Sequence, residues 1–100
     1  MNRQGSESFE LKLYVAGRTP RSMMAIENFR ALCRGHLKGR YNAEIIDLLQ
    51  DPKEARSVQI VATPTLVMES SGTVKKMVGT LSDMDQVLAA LGLQPAEKRD

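Results

Sequence analysis

The strongest constraint on the fold of this 100-residue chain is the segment Ile60-Val61-Ala62-Thr63-Pro64-Thr65-Leu66-Val67. Its second half is apolar and β-branched, as in a strand. Proline has no backbone N–H, so Pro64 is expected at the first residue of a strand or on a sheet edge. It also disfavours the helical region for Thr63, the residue before it. The segment therefore predicts a strand from Pro64 to Glu69 that is entered through a corner, with Thr63–Pro64 a candidate cis bond.

The composition is that of one ordinary globular domain, with 42% hydrophobic residues, 26% charged residues and a net charge of +2. This charge gives no basis for nucleic-acid binding, which usually needs a clustered basic face. No apolar run reaches the roughly 20 residues of a membrane helix. A single cysteine, Cys33, and a single histidine argue against a disulfide and a zinc site. We therefore expect a cytoplasmic protein without a cofactor.

Upstream of the proline segment, the pattern predicts a strand, a helix and a second strand. Apolar residues alternate from Phe9 to Val15, as in a strand with one buried face. Thr19-Pro20 provides a capping hydroxyl and a proline at the first helical position, and the helix is expected to run to about His36. The second strand is predicted from Tyr41 to Leu49, and this order is typical of a right-handed parallel βαβ unit.

Downstream, Asp51-Pro52 is expected to open a short second helix. The turn Ser70-Ser71-Gly72 predicts an antiparallel hairpin between the proline strand and a strand over residues 73–78.

The last helix is predicted to start at a capping Ser82 and to stop at Gly92, a residue suited to a C-terminal cap. Ala90 lies inside it and is a strong helix former.

The predicted order is β-α-β-α-β-β-α, an α/β domain over residues 9–93 between a flexible arm at 1–8 and a flexible tail at 94–100. A mixed four-stranded sheet with helices on its faces satisfies this order with short connections. The arrangement resembles that of thioredoxin-like domains, which carry a cis-proline corner facing their active-site loop.

The chemistry of a thioredoxin enzyme is missing from this sequence. Such an enzyme places Cys-x-x-Cys after its strand and at the start of its helix, whereas this loop reads Gly17-Arg18-Thr19-Pro20-Arg21-Ser22. Cys33 falls about three turns further along, on the apolar side, and is expected to be buried. His36 is about 20 Å from Ser22 along the helix, so it cannot activate that hydroxyl. We predict no enzymatic activity; Met23-Met24, beside the loop, are a candidate adaptable contact surface.

Four strings closely resemble the KaiB family of circadian-clock proteins. They are Leu11-Lys12-Leu13-Tyr14-Val15-Ala16-Gly17-Arg18-Thr19-Pro20-Arg21-Ser22, Ile46-Asp47-Leu48-Leu49-Gln50-Asp51-Pro52, Ile60-Val61-Ala62-Thr63-Pro64-Thr65-Leu66, and Gly79-Thr80-Leu81-Ser82, the last followed by Val87-Leu88. The resemblance extends over about residues 9 to 93.

This resemblance implies a non-enzymatic regulator that binds the N-terminal ring of the ATPase KaiC. It also implies competition with a histidine kinase whose sensory domain is thioredoxin-like, and sequestration of KaiA where KaiA exists. The family has two folds: a thioredoxin-like binding state and a tetrameric ground state whose C-terminal half is rearranged. The ground-state fold, and with it a homo-oligomer, is therefore the alternative to the thioredoxin-like fold.

The chain departs from the family pattern at several positions. Gln59 stands where members usually have a lysine associated with KaiC binding. Asn42 and Glu44 replace an alanine and a lysine on the strand that meets KaiA, so KaiA binding is not expected. Ala90 and Gly92 replace a glycine and an aspartate near the end of the domain, which favours a helix there.

The predicted function is a regulatory binding module acting on a KaiC-like ATPase through the second helix and its flanks. The candidate contact residues are Asp51, Lys53, Arg56 and Gln59. Two alternatives stay open from the sequence: a redox or stress protein that uses Cys33, and a detached kinase sensory domain of thioredoxin type.

Overall fold

The computed structural model describes residues 8–37, 41–60 and 62–93, and within them it leaves the side chains of residues 55, 57 and 58 undescribed. The elements follow the predicted order: β1 Phe9–Val15, α1 Pro20–His36, β2 Tyr41–Asp47, α2 Lys53–Val58, β3 Thr65–Ser70, β4 Thr73–Val78 and α3 Met84–Leu91. The predicted flexible arm and tail, apart from Ser8, lie outside the described residues.

The four strands form one mixed sheet in the order β2-β1-β3-β4. β1 is parallel to β2 and antiparallel to β3, and β3 pairs with β4 as an antiparallel hairpin. The register places Tyr14 of β1 opposite Ile46 of β2 on one side and Thr65 of β3 on the other. The thioredoxin-like arrangement predicted from the sequence is confirmed.

The larger core lies on the face of the sheet that α1 and α3 cover. It includes the predicted alternating residues of β1 together with residues of both helices and of β3; the buried side chains are Leu11, Leu13, Val15, Ala25, Phe29, Leu32, Cys33, Leu37, Leu66, Met68, Leu81, Val87, Leu88 and Leu91. At about 25 cal/mol per Å² of buried apolar surface, this face is the main source of stability.

The opposite face carries a smaller cluster built from Tyr14, Ile46 and Val67. Leu48 and Ile60, which flank α2 in the sequence, pack against this cluster, so the α2 segment covers this end of the face. The hydroxyl of Tyr14 is buried with no hydrogen-bond partner among the described residues. Burial raises its pKa, and the negative charge of Glu54 adds to that effect.

α1 begins and ends where the sequence predicts. The Thr19 hydroxyl accepts the backbone N–H of Ser22 at 3.1 Å. Pro20 occupies the first turn, where its missing backbone N–H costs nothing because an N–H there would have no intrahelical acceptor. The helix ends at His36, and the N–H of Leu37 bonds to the carbonyl of Cys33.

The predicted cap of α3 was wrong by one residue. Asp83, not Ser82, caps the helix: its carboxylate accepts the N–H of Gln86 at 3.2 Å. Buried Leu81 has a φ of 63°, so the chain is still turning at this point and Ser82 belongs to the connection. The Ser82 hydroxyl instead lies 2.7 Å from that of Thr80.

At the other end of α3, Gly92 has a φ of 73° and its N–H bonds to the carbonyl of Ala89 at 3.2 Å. This is the left-handed cap that glycine adopts without steric cost. Ala90 lies in the last turn and is exposed.

β2 is shorter than predicted. It ends at Asp47 rather than Leu49 because the Asp47 carboxylate accepts the N–H of Leu49 at 3.0 Å, which turns the chain. β3 starts at Thr65, one residue after Pro64, and the Thr63–Pro64 peptide bond is cis.

Candidate functional site

Three connections gather at the end of the sheet where β1 stops and β3 starts. The loop after β1 contains Gly17, and Pro64 lies one residue before β3, whose Thr65 pairs with Tyr14 near the end of β1. The N–H of Gly79, just after β4, bonds to the carbonyl of Pro64 at 2.9 Å. The Asn28 side chain then donates to the carbonyl of Thr80 at 2.9 Å, which attaches this connection to α1.

The loop after β1 is held in place by Asp47. Its carboxylate accepts the N–H of Gly17 at 2.9 Å and that of Leu49 at 3.0 Å. The hydrogen bond from Gly17, then that from Leu49, lowers the pKa of the Asp47 carboxyl, and the charge of Arg18 acts in the same direction. This role of Asp47 was not predicted from the sequence, although an aspartate at the end of a strand is a common turn-forming residue.

This loop is where a thioredoxin would carry its reactive sulfur, and the residues in place here are structural. Thr19 caps α1, and Ser22 is buried at 2% exposure with its hydroxyl 3.1 Å from that of Thr19. Their hydroxyls bond to each other, and that of Thr19 also accepts the Ser22 N–H, which is a capping arrangement. The end of the sheet therefore has a thioredoxin-like geometry, and residues 17–22 of its loop contain no sulfur.

Cys33 lies on the buried face of α1 and packs in the larger core, with 4% of its surface exposed. Burial raises the pKa of its thiol to about 11, and the positive charge of Arg34 offsets this only in part. Since the thiolate is the reactive form, a thiol with this pKa is a poor nucleophile at neutral pH. The prediction of a buried cysteine agrees with this position.

The four residues predicted to contact a partner all lie exposed along the α2 segment. Asp51 precedes the helix, Lys53 and Arg56 lie on it, and Gln59 follows it with a φ of 57°. The N–H of Asp51 bonds to the carbonyl of Asp47 at 3.0 Å, so α2 starts directly from the end of β2. The structure thus places these residues on one continuous surface segment.

The free edge of β2 carries Asn42 and Glu44, both exposed. The Asn42 amide donates to the carboxylate of Glu10 on β1 at 2.9 Å. Glu44 pairs with Lys12 in the register of β1 and β2. This edge therefore carries the carboxylates of Glu10 and Glu44, with Lys12 in register beside Glu44.

Large apolar side chains are exposed beside the loop after β1. Met23 and Met24 on α1 expose 43% and 49% of their surface, and Leu49 in the turn after β2 exposes 72%. The sequence pointed to the two methionines but placed Leu49 at the end of the second predicted strand. Its exposure follows from the early end of β2 at Asp47.

No group of three or more metal-binding side chains comes together in the described ranges, and none of the helices in them is long and apolar enough to cross a membrane.

Comparison with solved structures gives the class of this domain. Mitochondrial thioredoxin 3 from Saccharomyces cerevisiae superposes with a TM-score of 0.69 at 16% identity, with 86% of this chain and 79% of that chain covered. The N-terminal domain of Synechococcus elongatus SasA superposes with a TM-score of 0.65 at 22% identity, with 85% and 84% covered. At these identities the likeness is one of fold: this is a thioredoxin-like domain whose loop lacks the dithiol.

The family follows from the sequence comparisons. The KaiB domain model matches residues 12–93. The circadian clock oscillator protein KaiB of Prochlorococcus marinus strain MIT 9312 is 41% identical over 87 residues, covering 87% of this chain and 83% of that protein. KaiB of Rippkaea orientalis is 39% identical over 94 residues, covering 94% of this chain and 90% of that protein. The chain belongs to the KaiB family.

Proposed function

We propose that this chain is a non-enzymatic regulatory binding module that acts on a KaiC-like ATPase. The observation that carries the proposal is the match to the KaiB family over residues 12–93, which includes every element of the fold except the start of β1. Because its proposed partner is an intracellular ATPase, the proposal places the protein in the cytoplasm, in a circadian or stress-related timing system.

The α2 segment is the proposed contact surface for the ATPase. Its exposed side chains combine both signs of charge, from Asp51, Lys53 and Arg56, with the polar Gln59. Charged side chains at the rim of an interface set the partner and the rate of encounter more than they set the affinity. The backbone of this segment is anchored to β2 through the carbonyl of Asp47, which reduces the entropy lost on binding.

A histidine kinase is the proposed competitor for the same ATPase surface. The SasA N-terminal domain has the same fold as this chain, so the two can present similar backbone elements to one surface. KaiA binding is not proposed. Asn42 and Glu44 on the β2 edge, beside Glu10, would bring negative charge to that contact.

The redox alternative is disfavoured by the environment of Cys33. Its thiol is 4% exposed and its pKa is raised to about 11, so almost none is in the thiolate form near neutral pH. The alternative of a detached kinase sensory domain rests on fold likeness at 22% identity, whereas the KaiB relatives are about 40% identical.

Titration calorimetry against the N-terminal ring of a KaiC-type ATPase from the same organism tests the proposal. We expect binding by the wild-type chain, and weaker binding by Arg56→Glu. The control is Arg34→Glu, which reverses another exposed helical arginine on α1. A surface charge change of this kind usually costs less than about 0.5 kcal/mol of stability. Absence of wild-type binding, with and without ATP, would refute the proposed function.

A further inference from the structure

The core face of the sheet is incompletely covered at its β2 edge. In the register of the sheet, Ala43 of β2 pairs with Leu11 of β1, and Ile45 pairs with Leu13. The two leucines are 1% and 0% exposed, whereas Ile45 is only partly buried and Ala43 is exposed. The larger core therefore continues onto β2 and opens to solvent there.

A groove of about 330 Å³ lies at this opening, and we call it the α1–β2 groove. Phe29 and Cys33 of α1 form one wall, and Tyr41, Ala43 and Ile45 of β2 form the other. The small side chain of Ala43 between two large ones leaves a hollow along the strand. Alanine is disfavoured in strands, so strand propensity does not account for it. The volume is at the lower end of the range found for small-molecule sites.

Two arginines of α1, Arg30 and Arg34, also line the groove. They are one helical turn apart, and both are exposed. Like charges at this spacing destabilise a helix. Among the described residues, neither guanidinium has a hydrogen bond or an ion pair to a carboxylate. The fold thus brings two positive charges to one rim of an apolar groove and leaves them uncompensated.

The chemistry of the groove specifies a ligand with an apolar body and one negative charge. An aromatic ring suits the apolar walls, because it is flat and can stack on the ring of Tyr41. A carboxylate or phosphate on that ring would lie beside the two guanidinium groups, which bind such anions through paired hydrogen bonds. Glu44 does not compete for them, since it is adjacent to Ala43 in β2 and therefore lies on the opposite face of the sheet.

Two other occupants fit the groove less well. A second copy in a two-fold symmetric contact would bring Arg30 and Arg34 of both copies together, and like charges in a contact oppose binding. A protein strand that pairs with the free edge of β2 would use backbone N–H and C=O groups, and it would need neither the hollow at Ala43 nor the arginines. The side-chain features of the groove therefore favour a small molecule.

We propose that the α1–β2 groove binds a small aromatic molecule that carries one anionic group, a carboxylate or a phosphate. The ring lies between Phe29 on α1 and Ile45 on β2, and the anionic group is held by Arg30 and Arg34. The α2 segment packs on the opposite face of the sheet, so the groove is separate from the surface proposed for the ATPase. The inference therefore does not depend on the proposed function.

The test titrates the full chain with 1-naphthoate and follows its backbone chemical shifts. We expect saturable shifts at the residues that line the groove. 1-Naphthyl phosphate should bind at the same place, and the better binder of the two assigns the anionic group. 1-Naphthalenemethanol, which has the same rings without the charge, should bind at least about tenfold more weakly than 1-naphthoate.

Two pairs of variants separate the charge from the hollow. Arg30→Gln/Arg34→Gln should weaken the binding of 1-naphthoate at least about tenfold and leave that of the uncharged alcohol within about twofold. Arg18→Gln/Arg21→Gln is the matched control, because it removes two charges more than a Debye length away along the chain of α1 and its preceding loop. Ala43→Leu fills the hollow and should weaken both ligands.

Asn42→Leu is the control for this last variant. It places the same side chain on the opposite face of β2 and should leave both affinities within about twofold. The backbone chemical shifts of each variant without ligand show whether its fold is kept.

Three results overturn the inference. The first is a set of shifts that does not saturate, or that saturates away from the groove. The second is an affinity for 1-naphthoate that stays the same in Arg30→Gln/Arg34→Gln or in Ala43→Leu. The third is another occupant: groove shifts that appear on raising the protein concentration alone would assign the groove to a second copy. Groove shifts caused by the ATPase ring, without saturable binding of 1-naphthoate, would assign it to a protein contact.

Discussion

The carboxylate of Asp47 accepts the backbone N–H of Gly17 at 2.9 Å, which joins the end of β2 to the loop after β1 across 30 residues of sequence. The same oxygen accepts the N–H of Leu49 at 3.0 Å. One side chain thus fixes both the loop that carries the thioredoxin dithiol in other proteins and the turn that leads to α2.

The first prediction concerns the pH dependence of this contact. The two backbone hydrogen bonds hold the pKa of Asp47 below its ordinary value, so the ionised form favours the folded state. That contribution is complete above the pKa of the unfolded chain, near 4, and is lost as the pH falls through the lower folded pKa. Asp47→Asn should therefore be less stable than wild type in urea at pH 7, with the difference shrinking by pH 3.

Glu27→Gln is the control for this prediction, because Glu27 is an exposed carboxylate on α1. This substitution also removes one negative charge but touches none of the hydrogen bonds of Asp47, so it accounts for the change in net charge alone. A difference for Asp47→Asn that stays constant with pH would show that the charge of Asp47 is not what holds the loop.

The second prediction concerns Gly17, which has a φ of 76°. Gly17→Ala should lower the free energy of unfolding by about 1–2 kcal/mol because alanine is strained in this region. The added Cβ would also approach Leu49 Cδ1 at 2.9 Å, but Leu49 is exposed and its side chain can move. Gly17→Ala/Leu49→Ala should therefore recover only a small part of the loss.

Gly35→Ala is the matched control, since a Cβ at Gly35 meets nothing within 4 Å and the residue is helical. It should stabilise the protein by about 0.5–1 kcal/mol. Equal effects of the two glycine substitutions in chemical denaturation would contradict this account of Gly17.

The third prediction concerns the reactivity of Cys33. With a pKa raised to about 11 and 4% exposure, the thiol should react with a disulfide reagent at pH 8 at least about a hundredfold more slowly in the native protein than in urea. Met23→Cys in a Cys33→Ser background places a thiol at an exposed site and should react rapidly in both conditions. Rapid labelling of Cys33 in the native protein would support the redox alternative instead. Insulin reduction by the wild-type chain that disappears in Cys33→Ser would do the same.

The fourth prediction separates Asp83 from Ser82 at the start of α3. Asp83→Ala removes the acceptor of the Gln86 N–H and should cost about 1 kcal/mol of stability. Ser82→Ala should cost less than about 0.5 kcal/mol because the Ser82 hydroxyl is exposed and bonds to the side chains of Thr80 and Met24 rather than to the helix backbone. A larger loss of stability for Ser82→Ala than for Asp83→Ala in urea denaturation would place the cap at Ser82.

Much of this fold could be predicted because its local signals agree with the tertiary structure. The alternation in β1, the Thr19-Pro20 start of α1 and the Ser70-Ser71-Gly72 turn each specify an element without knowledge of its neighbours. The error at the start of α3 arose because two adjacent residues both favour a helix cap. Ser82 and Asp83 are both good caps, and the backbone turn at Leu81 decided between them.

The candidate site was less predictable, because its features depend on contacts distant in sequence. The link between Asp47 and Gly17 requires β1 and β2 to be parallel neighbours. The exposure of Leu49 follows from the early end of β2, where the Asp47 carboxylate accepts the Leu49 N–H. The missing dithiol, by contrast, could be read directly from residues 17–22. The loop sequence thus showed which chemistry is missing, whereas the exposure of Leu49 beside that loop was visible only in the fold.

The last prediction concerns the choice between the two folds that the family resemblance implies. In the alternative fold, the segment that forms α3 here would be a strand. Its local signals favour the helix: Asp83 caps the start, Gly92 ends it in the left-handed region, and Ala90 is the best helix former. Lys75 of β4 further stabilises the helix, because its ammonium donates to the carbonyl of Leu91 at 3.3 Å, at the negative end of the helix.

We therefore expect helical backbone chemical shifts for residues 84–91 of the isolated protein in solution. Ala90→Gly should lower the stability of this state by about 1 kcal/mol, since Ala90 is exposed and loses helix propensity but no core packing. Ala89→Gly, also exposed, should cost a similar amount, because both residues lie in the same helix. Glycine is also less favourable than alanine inside a strand, so the chemical shifts, and not the glycine substitutions, separate the two folds. Strand-like shifts for residues 84–91 would show that the rearranged fold is the stable one in solution.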